Sequence, residues 1–270
     1  MRWMRVPWAF VRKDFLEQLS YGPQMFLGVF GVLIGLLFFN FLSQQVGTNV
    51  FGPKERFHGD FFEFLVFGMA MYSFFDAALR ELSRIIRSAQ ILGTFEALLT
   101  TRTSLPMLVF CLPLHAYAWI VLRVTLYLSL GALIFDMRVK WGNWPAALVV
   151  FLLTLLAFGA LGLGMAGLTI VFKRTERWIG LLSTLTLLFG GVFYPVEQLP
   201  ESLRAMTPLL PISHGLEGVR LALIEGAEWG QVLPSLRALG IFNAIVVPFA
   251  IMLFAWAVRR AMRDGTLTQY

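Results

Sequence analysis

Long apolar runs constrain this chain more than any other feature of its sequence. An α-helix rises about 1.5 Å per residue, so roughly 20 consecutive apolar residues cross the hydrocarbon core of a bilayer. Several runs reach that length, and only 14% of the residues are charged, whereas a soluble domain carries about 25%. The sequence therefore predicts an all-α polytopic membrane protein and excludes a soluble fold.

Six transmembrane helices are predicted, at about residues 24–42, 61–79, 106–135, 145–172, 178–194 and 238–258. An even number of spans places both termini on the same side of the membrane. Fourteen lysines and arginines lie in the connections on that side, and seven lie in those on the other. Because cytoplasmic segments carry the excess of basic residues, we expect both termini in the cytoplasm. We expect a single transmembrane domain over residues 1–270, since no internal repeat or second domain is visible.

The segment before the first span, residues 1–23, has the pattern of an amphipathic helix. Arg12 lies off an apolar stripe that carries the side chains of Trp8, Val11, Phe15 and Leu19. Such a helix lies in the membrane interface with its apolar face toward the acyl chains. We therefore expect an N-terminal interface helix, and the alternative is a frayed arm.

Residues 80–105 connect the second and third spans on the cytoplasmic side. Thr94 is suited to cap a short helix, and Glu96 falls in its first turn, where a negative charge interacts favourably with the helix dipole. The apolar face of that helix is formed by Phe95, Leu98 and Leu99. A short, capped helix of this kind is predicted to bind a protein partner or the membrane surface.

The external connection between the fifth and sixth spans, residues 195–237, is too apolar for a free loop. It contains two short helical patterns, one that ends near Pro208 and one that Ser213 is placed to cap. Neither is long enough to cross the bilayer, and the Gly190-Gly191 pair interrupts the chain before them. The pattern predicts a re-entrant helical hairpin, which is tolerated at membrane depth only where protein or a water-filled cavity covers it.

The chain lacks the motifs of ATP hydrolysis and of metal catalysis. None of its four lysines follows a glycine, so the phosphate-binding loop GxxxxGK[ST] is absent. The three histidines are scattered along the chain, which argues against a metal site. No acidic residue lies at a clear midplane position, and this disfavours proton-coupled transport.

Arg123 lies deep inside a predicted span, about 17 residues into the third. A charged side chain at that depth costs about 2.5–3.5 kcal/mol on insertion scales, which makes it a functional candidate. In one interpretation Arg123 belongs to the substrate path and contacts an anionic group of the substrate. In the other it pairs with a carboxylate of a neighbouring helix.

Three stretches carry a family resemblance: Arg12-Lys13-Asp14-Phe15, the run from Gly93 to Leu99, and the run from Gly191 to Pro200 with its continuation to Arg220. Together with the six predicted spans they resemble the type-2 ABC exporter permeases. That family includes polysaccharide, lipo-oligosaccharide and drug export subunits. The third stretch is the most specific, and it is nearer to the lipo-oligosaccharide branch than to the drug pumps.

The resemblance implies two permease subunits, expected to form a homodimer, above two copies of a separate cytoplasmic ABC ATPase. ATP and Mg²⁺ would bind to that ATPase, so we expect no cofactor on this chain and no enzymatic activity of its own. The coupling helix would be formed by Gly93, Thr94, Phe95, Glu96, Leu98 and Leu99. The external gate would be formed by Gly191, Phe193, Tyr194, Pro195, Leu199, Pro200 and Pro211.

The function implied is export of an amphiphilic substrate, such as a lipid-linked glycan or polysaccharide, across the bacterial cytoplasmic (inner) membrane. The expected partners are the ATPase, the second permease copy, the lipid bilayer and the substrate, and no nucleic acid is expected. One alternative is an ABC permease for a hydrophobic drug or natural product. An alternative of another class is a secondary transporter, which the missing midplane carboxylates and inverted repeat disfavour, or a membrane scaffold, which does not need a docking helix together with a gate hairpin.

Overall fold

The computed structural model describes residues 22–46, 61–94, 107, 109, 111–135, 142–172 and 175–264. Within these residues the chain is helical and contains no strand, which confirms the prediction of an all-α fold. The helices are α1 (Gly22–Val46), α2 (Phe61–Ile91), α3 (Leu114–Phe135), α4 (Trp144–Phe172), α5 (Glu176–Phe189), α6 (Glu201–Arg204), α7 (Pro211–Arg220) and α8 (Trp229–Asp264). Short 3₁₀ turns cover Val196–Gln198 and Thr207–Leu209, and a π-helical turn covers Leu221–Glu225.

Four of these helices, α2, α3, α4 and α8, are long and apolar enough to cross a membrane. Helix α1 has 25 residues, and the apolar stretch described within it is Phe30–Gln45. Helix α5 has 14 residues and is only about 21 Å long at 1.5 Å per residue. The structure therefore shows a multi-pass helical membrane protein, and the predicted count of six spans is not confirmed.

The observed helices differ from the predicted spans mainly at their ends. Helix α4 covers the predicted span 145–172 to within one residue. Helix α2, in contrast, continues past residue 79 to Ile91, so the first part of the 80–105 connection belongs to the same helix. Helix α8 begins at Trp229, well before residue 238, and takes up the end of the 195–237 connection. Charged residues set the predicted limits, whereas a helix can extend beyond the hydrocarbon core into water.

Local capping contacts define two of the helix ends. Asn143 Oδ1 accepts a hydrogen bond from a backbone amide in the first turn of α4 at 3.4 Å, and Pro145 follows in that turn. After α2, Gly93 adopts a φ of +68°, the left-handed conformation typical of a residue that follows a helix. The amide of Thr94 then donates to the carbonyl oxygen of Ala89 at 2.9 Å, which closes the end of α2.

Helix α4 is central to the bundle and packs against α2 and α8. Phe75 of α2 stacks on Phe158 of α4, with the ring centroids 5.2 Å apart. Gly162 of α4 lets the two backbones approach, because a Cβ at this position would collide with the carbonyl oxygen of Ala78. Small residues at helix contacts are the usual basis of close packing in membranes, where burial of apolar surface gives little driving force between helices.

Large apolar side chains remain exposed on the outer faces of α1, α3 and α8. Phe38, Leu133 and Ile245, one from each helix, are 57%, 82% and 66% exposed. A continuous apolar surface of this kind is suited to contact with lipid or with another protein chain. The described part of the chain therefore presents a membrane-compatible exterior around a core built on α2, α4 and α8.

Candidate functional site

The segment between α5 and α8, called the hairpin below, consists of short helical elements, and its helix α7 packs against the bundle. A re-entrant position of this segment in the membrane stays a prediction. Helix α5 ends at Phe189 with Gly190 as its C-terminal cap, and Gly191 adopts a φ of +76°, a conformation that favours glycine. The chain then passes through a 3₁₀ turn and the short helix α6 and returns through α7. Because α7 contacts both α4 and α8, the predicted gate residues belong to one structure that is seated on the bundle.

The turn that follows α5 is tied to its surroundings by Val192, Phe193 and Tyr194. Val192 is fully buried, and Phe193 packs against the core clusters that include residues of α1 and α2. The hydroxyl of Tyr194 donates a hydrogen bond to the carbonyl oxygen of Leu188 in the last turn of α5. The turn is therefore an ordered extension of α5.

Prolines mark the beginnings of the short helical elements. Pro195 precedes the first 3₁₀ turn, which Leu199 ends, Pro200 precedes α6, and Pro211 is the first residue of α7. Proline is favoured there because the amides of a first turn have no partner inside the helix. The prediction that Ser213 caps the second helix is wrong, because α7 begins two residues earlier and buries the Ser213 side chain.

Arg220, at the end of α7, fastens the hairpin to α2. Its guanidinium donates hydrogen bonds to the carbonyl oxygens of Gly191, at 2.8 Å, and Phe64, at 3.2 Å. The same group lies 3.6 Å from the ring centroid of Phe64, within the range of a cation–π interaction. One buried cation, 8% exposed, thus joins the end of α5, the first turn of α2 and the end of α7.

Gly68 of α2 provides the space that Arg220 occupies. A Cβ at this position would lie 2.7 Å from a terminal nitrogen of Arg220 and would collide with the carbonyl oxygen of Val192. Burial lowers the pKa of Arg220 to about 9, because a charge removed from water loses solvation energy. The nearby Glu197 carboxylate has the opposite effect and raises the pKa. Arg220 therefore stays charged at neutral pH.

The sequence marks Arg220 only as one of the seven basic residues on the external side. Its hydrogen-bond acceptors lie 29 and 156 residues away along the chain, so no local pattern predicts the contact. The available signal was the position of Arg220 at the end of the stretch that resembles the exporter permeases. That signal marks the residue but does not indicate which groups it binds.

The C-terminal end of the hairpin is also attached to the bundle. The side-chain amide of Asn143, before α4, donates to the carbonyl oxygen of Ala227 at 3.0 Å. Gly226 ends the π-helical turn with a φ of +67°, as expected of a glycine near the end of the second hairpin helix. Gly215 of α7 lies directly against the side chain of Thr154 in α4. The hairpin is therefore held at both ends and along α7.

A polar cluster inside the bundle joins α2 to α5. The hydroxyl oxygens of Tyr72 and Ser183 lie 2.6 Å apart, and Ser183 also donates to a carboxylate oxygen of Asp76. Arg80 donates its Nε hydrogen to the same oxygen at 2.6 Å. Asp76 lies near the end of the predicted second span, residues 61–79, where a carboxylate can reach the membrane interface. The structure shows that its carboxylate also binds the neighbouring helix.

Arg123 lies on an exposed face of α3, one helical turn before Tyr127. In the part of the chain that the structure describes, no ion pair involves Arg123. The predicted pairing with a carboxylate of a neighbouring helix is therefore not found among these residues. An exposed position leaves Arg123 able to face lipid, a second copy or a substrate, and its role in a substrate path stays a prediction.

Two predicted functional segments lie wholly or largely outside the described residues. The named residues of the interface helix all lie outside the described residues: Trp8, Val11, Arg12, Phe15 and Leu19. The same is true of four residues of the coupling helix: Phe95, Glu96, Leu98 and Leu99. Gly93 and Thr94 are described and form the turn that ends α2. The hydroxyl of Thr94 donates to the carbonyl oxygen of Ala89 at 3.4 Å, so its side chain contacts the preceding helix.

The fold and composition define a multi-pass helical membrane protein with a helical hairpin fastened to one end of its bundle. The sequence pattern of the ABC-2 type transporter family matches residues 8–224. The chain therefore belongs to the ABC-2 type transporter family. Members of this family are membrane translocation subunits that normally work with an ABC ATPase subunit.

Proteins similar to this chain include several that are named Nodulation protein J. The one from Neorhizobium galegae is 30% identical over 162 residues, which is 58% of each chain. The one from Sinorhizobium fredii (strain NBRC 101917 / NGR234) is 28% identical over 190 residues, 69% of this chain and 70% of that protein. The one from Rhizobium leguminosarum bv. viciae is 29% identical over 173 residues, 63% of each chain. The match thus spans less than two thirds of two of these relatives.

Proposed function

We propose that the chain is the transmembrane permease subunit of an ATP-driven ABC exporter. The observation that carries this proposal is the family match over residues 8–224, a range that includes α1 to α7. The proposed substrate is amphiphilic, such as a lipid-linked glycan or polysaccharide, and it is moved out across the bacterial cytoplasmic membrane. The resemblance of the Gly191–Pro200 stretch to the lipo-oligosaccharide branch supports this substrate class over a hydrophobic drug.

ATP hydrolysis belongs, in this proposal, to a separate ABC ATPase that is present in two copies and binds ATP and Mg²⁺. The absence of a GxxxxGK[ST] loop from the sequence supports this division of labour. The segment from Gly93 to Leu99 docks on the ATPase. It directly follows α2, which runs without interruption for 31 residues. A displacement of the docking segment is therefore transmitted along one rigid helix.

The hairpin between Gly191 and Gly226 is the proposed external gate. Arg220 binds the carbonyl oxygen of Phe64 in the first turn of α2, at the end of that helix opposite Gly93. When nucleotide binding to the ATPase moves α2, Arg220 and the hairpin therefore move together with this helix. ATP binding needs only to favour one of two arrangements of these elements to open or close the path.

The second permease copy is proposed to be identical to the first. The exposed apolar faces of α1, α3 and α8 support an assembly in the membrane, since a second copy can cover part of that surface. Arg123 lies on the exposed side of α3, where an anionic group of a substrate between two copies can reach it. In this arrangement the termini are cytoplasmic and the hairpin is external.

Purification of the tagged chain from its native membrane in a mild detergent tests the proposed ATPase partner. A soluble P-loop ATPase is expected to co-elute at about one copy per permease. Phe95→Ala with Glu96→Gln should lose the ATPase while the chain inserts normally. The control, Met262→Ala, changes an exposed residue of α8 and should retain it. A chain that purifies without an ATPase in several detergents would contradict the proposal and favour a secondary transporter or scaffold.

A further inference from the structure

A cavity of about 310 Å³ opens between α2, α4 and α5, at the end of the bundle where α2 finishes. Its volume lies at the lower end of the range for small-ligand sites, about 300–1,000 Å³. The lining residues that are basic, or polar without a charge, are Arg80, Ser83, Arg84, Arg87, Thr169 and Thr175. The export mechanism proposed above uses none of these residues.

Three arginines reach the cavity from α2. Arg80, Arg84 and Arg87 are separated by four and three residues, so they share one face of the helix. Arg80 donates its Nε hydrogen to Asp76, and Arg84 donates from Nε and one terminal nitrogen to Glu81. A guanidinium has five N–H donors, so Arg80 and Arg84 keep donors that no described residue accepts. Such donors bind phosphate oxygens in a bidentate geometry.

Ser83 lies between these arginines along α2 and is only 3% exposed. Its hydroxyl has no hydrogen-bond partner among the described residues. Buried hydroxyl groups nearly always have a partner, because the hydrogen bonds they lose with water must be replaced. Since Ser83 lines the cavity, a ligand that accepts a hydrogen bond there supplies the partner.

The N-terminus of α5 forms another wall of the cavity. Thr175, which precedes α5, does not cap the helix with its side chain and instead shares a hydrogen bond with the hydroxyl of Thr169. The first amides of α5 therefore keep N–H groups at the positive end of the helix dipole, an arrangement that binds phosphate. Among the lining residues that the structure describes, Glu176 is the only carboxylate, against three arginines.

We propose that this cavity binds a phosphate group, supplied either by the headgroup of an anionic glycerophospholipid or by free phosphate. The phosphate oxygens accept hydrogen bonds from the arginines, from Ser83 and from the first amides of α5. The bound group links α2 to α5 at the end of the bundle opposite Arg220. The position of the cavity on the cytoplasmic side rests on the proposed function, whereas phosphate binding itself does not.

The test uses the full-length chain purified in a neutral detergent, without an ATPase. Thermal unfolding is measured with inorganic phosphate against chloride at equal ionic strength, and with phosphatidylglycerol against phosphatidylcholine at equal mole fraction. Stabilisation by inorganic phosphate shows that free phosphate suffices, and stabilisation by phosphatidylglycerol alone shows that the lipid headgroup is recognised. Either result supports the site, and stabilisation by neither probe overturns it.

Arg84→Gln with Arg87→Gln assigns the effect to the cavity. This double variant is expected to weaken apparent affinity for the effective probe at least about tenfold, since charge-assisted hydrogen bonds are lost. The control, Arg259→Gln with Arg263→Gln, removes two exposed charges of α8 at the same end of the bundle and should leave the affinity unchanged. No effect of the cavity variant, or an equal effect of both variants, would overturn the proposal.

Ser83→Ala separates ligand binding from a structural role. Removal of a buried hydroxyl without a partner should leave the melting temperature of the ligand-free protein unchanged or raise it, because an unsatisfied group is lost. The affinity for the effective probe should nevertheless fall about three- to tenfold. Unchanged affinity in Ser83→Ala would overturn the proposed site. A missing ATPase in the co-purification above would contradict the exporter proposal without altering these binding results.

Discussion

A buried arginine is tolerated where other groups replace the water around its charge. For Arg220 these groups are the carbonyl oxygens of Gly191 and Phe64 and the ring of Phe64. Gly68 contributes because it has no side chain, and any side chain there would occupy the space of the guanidinium. The contact between α7 and α2 therefore depends on a cation and a glycine together.

Replacement of Arg220 by alanine is expected to lower the free energy of unfolding by about 3 kcal/mol, because two carbonyl oxygens lose a charged donor and a cavity forms. Arg220→Lys should recover part of this loss, since it keeps the charge but not the planar fork. Unfolding in detergent measures both variants. The control is Arg204→Ala on the exposed surface of α6, and equal stability of the two alanine variants would contradict the assigned contact.

Gly68→Ala is expected to destabilise the protein by about 1–3 kcal/mol, because the added methyl group overpacks a filled site. The matched control is Gly159→Ala in α4, where a Cβ meets no atom within 4 Å. That change should be neutral or stabilising, since alanine has the higher helix propensity. Thermal unfolding of both variants under one detergent condition compares them, and a stable Gly68→Ala would show that Arg220 and the Val192 carbonyl group can both move aside at little cost.

At the scale of elements, the sequence predicts a helix well where the bilayer determines its length. Helix α4 is apolar throughout and begins at the Asn143 cap, so both its ends were predicted. Helix α5 ends at Phe189, earlier than the predicted residue 194, because the chain turns at Gly190 and Gly191. The pairing of α2 with α5 was not predictable, since Tyr72 and Ser183 are 111 residues apart and no local pattern connects them.

Tyr72 and Ser183 should show energetic coupling, because their hydroxyl groups bind each other between α2 and α5. A double-mutant cycle with Tyr72→Phe and Ser183→Ala is expected to give a coupling energy of about 0.6–1.7 kcal/mol, the range for hydrogen bonds between membrane helices. The control replaces Ser183→Ala with Thr184→Ala, whose hydroxyl bonds within its own helix to Gly180. Additive effects in both cycles would show that the bond does not hold the two helices together.

At the scale of the whole molecule, α2 connects the features that carry the functional argument. Its first turn accepts a hydrogen bond from Arg220, its middle bears Asp76, its C-terminal third bears the arginines of the cavity, and its last residues lead to Gly93. Composition and the basic-residue asymmetry predict the membrane class and orientation, because bilayer thickness and surface charge act on short segments. They do not predict which helix joins the hairpin to the docking segment, since that depends on contacts between distant residues.

The orientation of the molecule is testable with cysteines at two sites of nearly equal exposure. Leu209, in the hairpin, is 73% exposed, and Leu92, after α2, is 71% exposed. In a Cys111→Ser background, a membrane-impermeant maleimide applied to spheroplasts should label Leu209→Cys at once. It should label Leu92→Cys only after the membrane is permeabilised, because the positive-inside rule places that end in the cytoplasm. The Cys111→Ser background without a new cysteine controls for unspecific labelling. The reverse pattern would place the Gly93 end outside, where a cytoplasmic ATPase cannot reach it, and would remove both the coupling role of α2 and the external position of the hairpin.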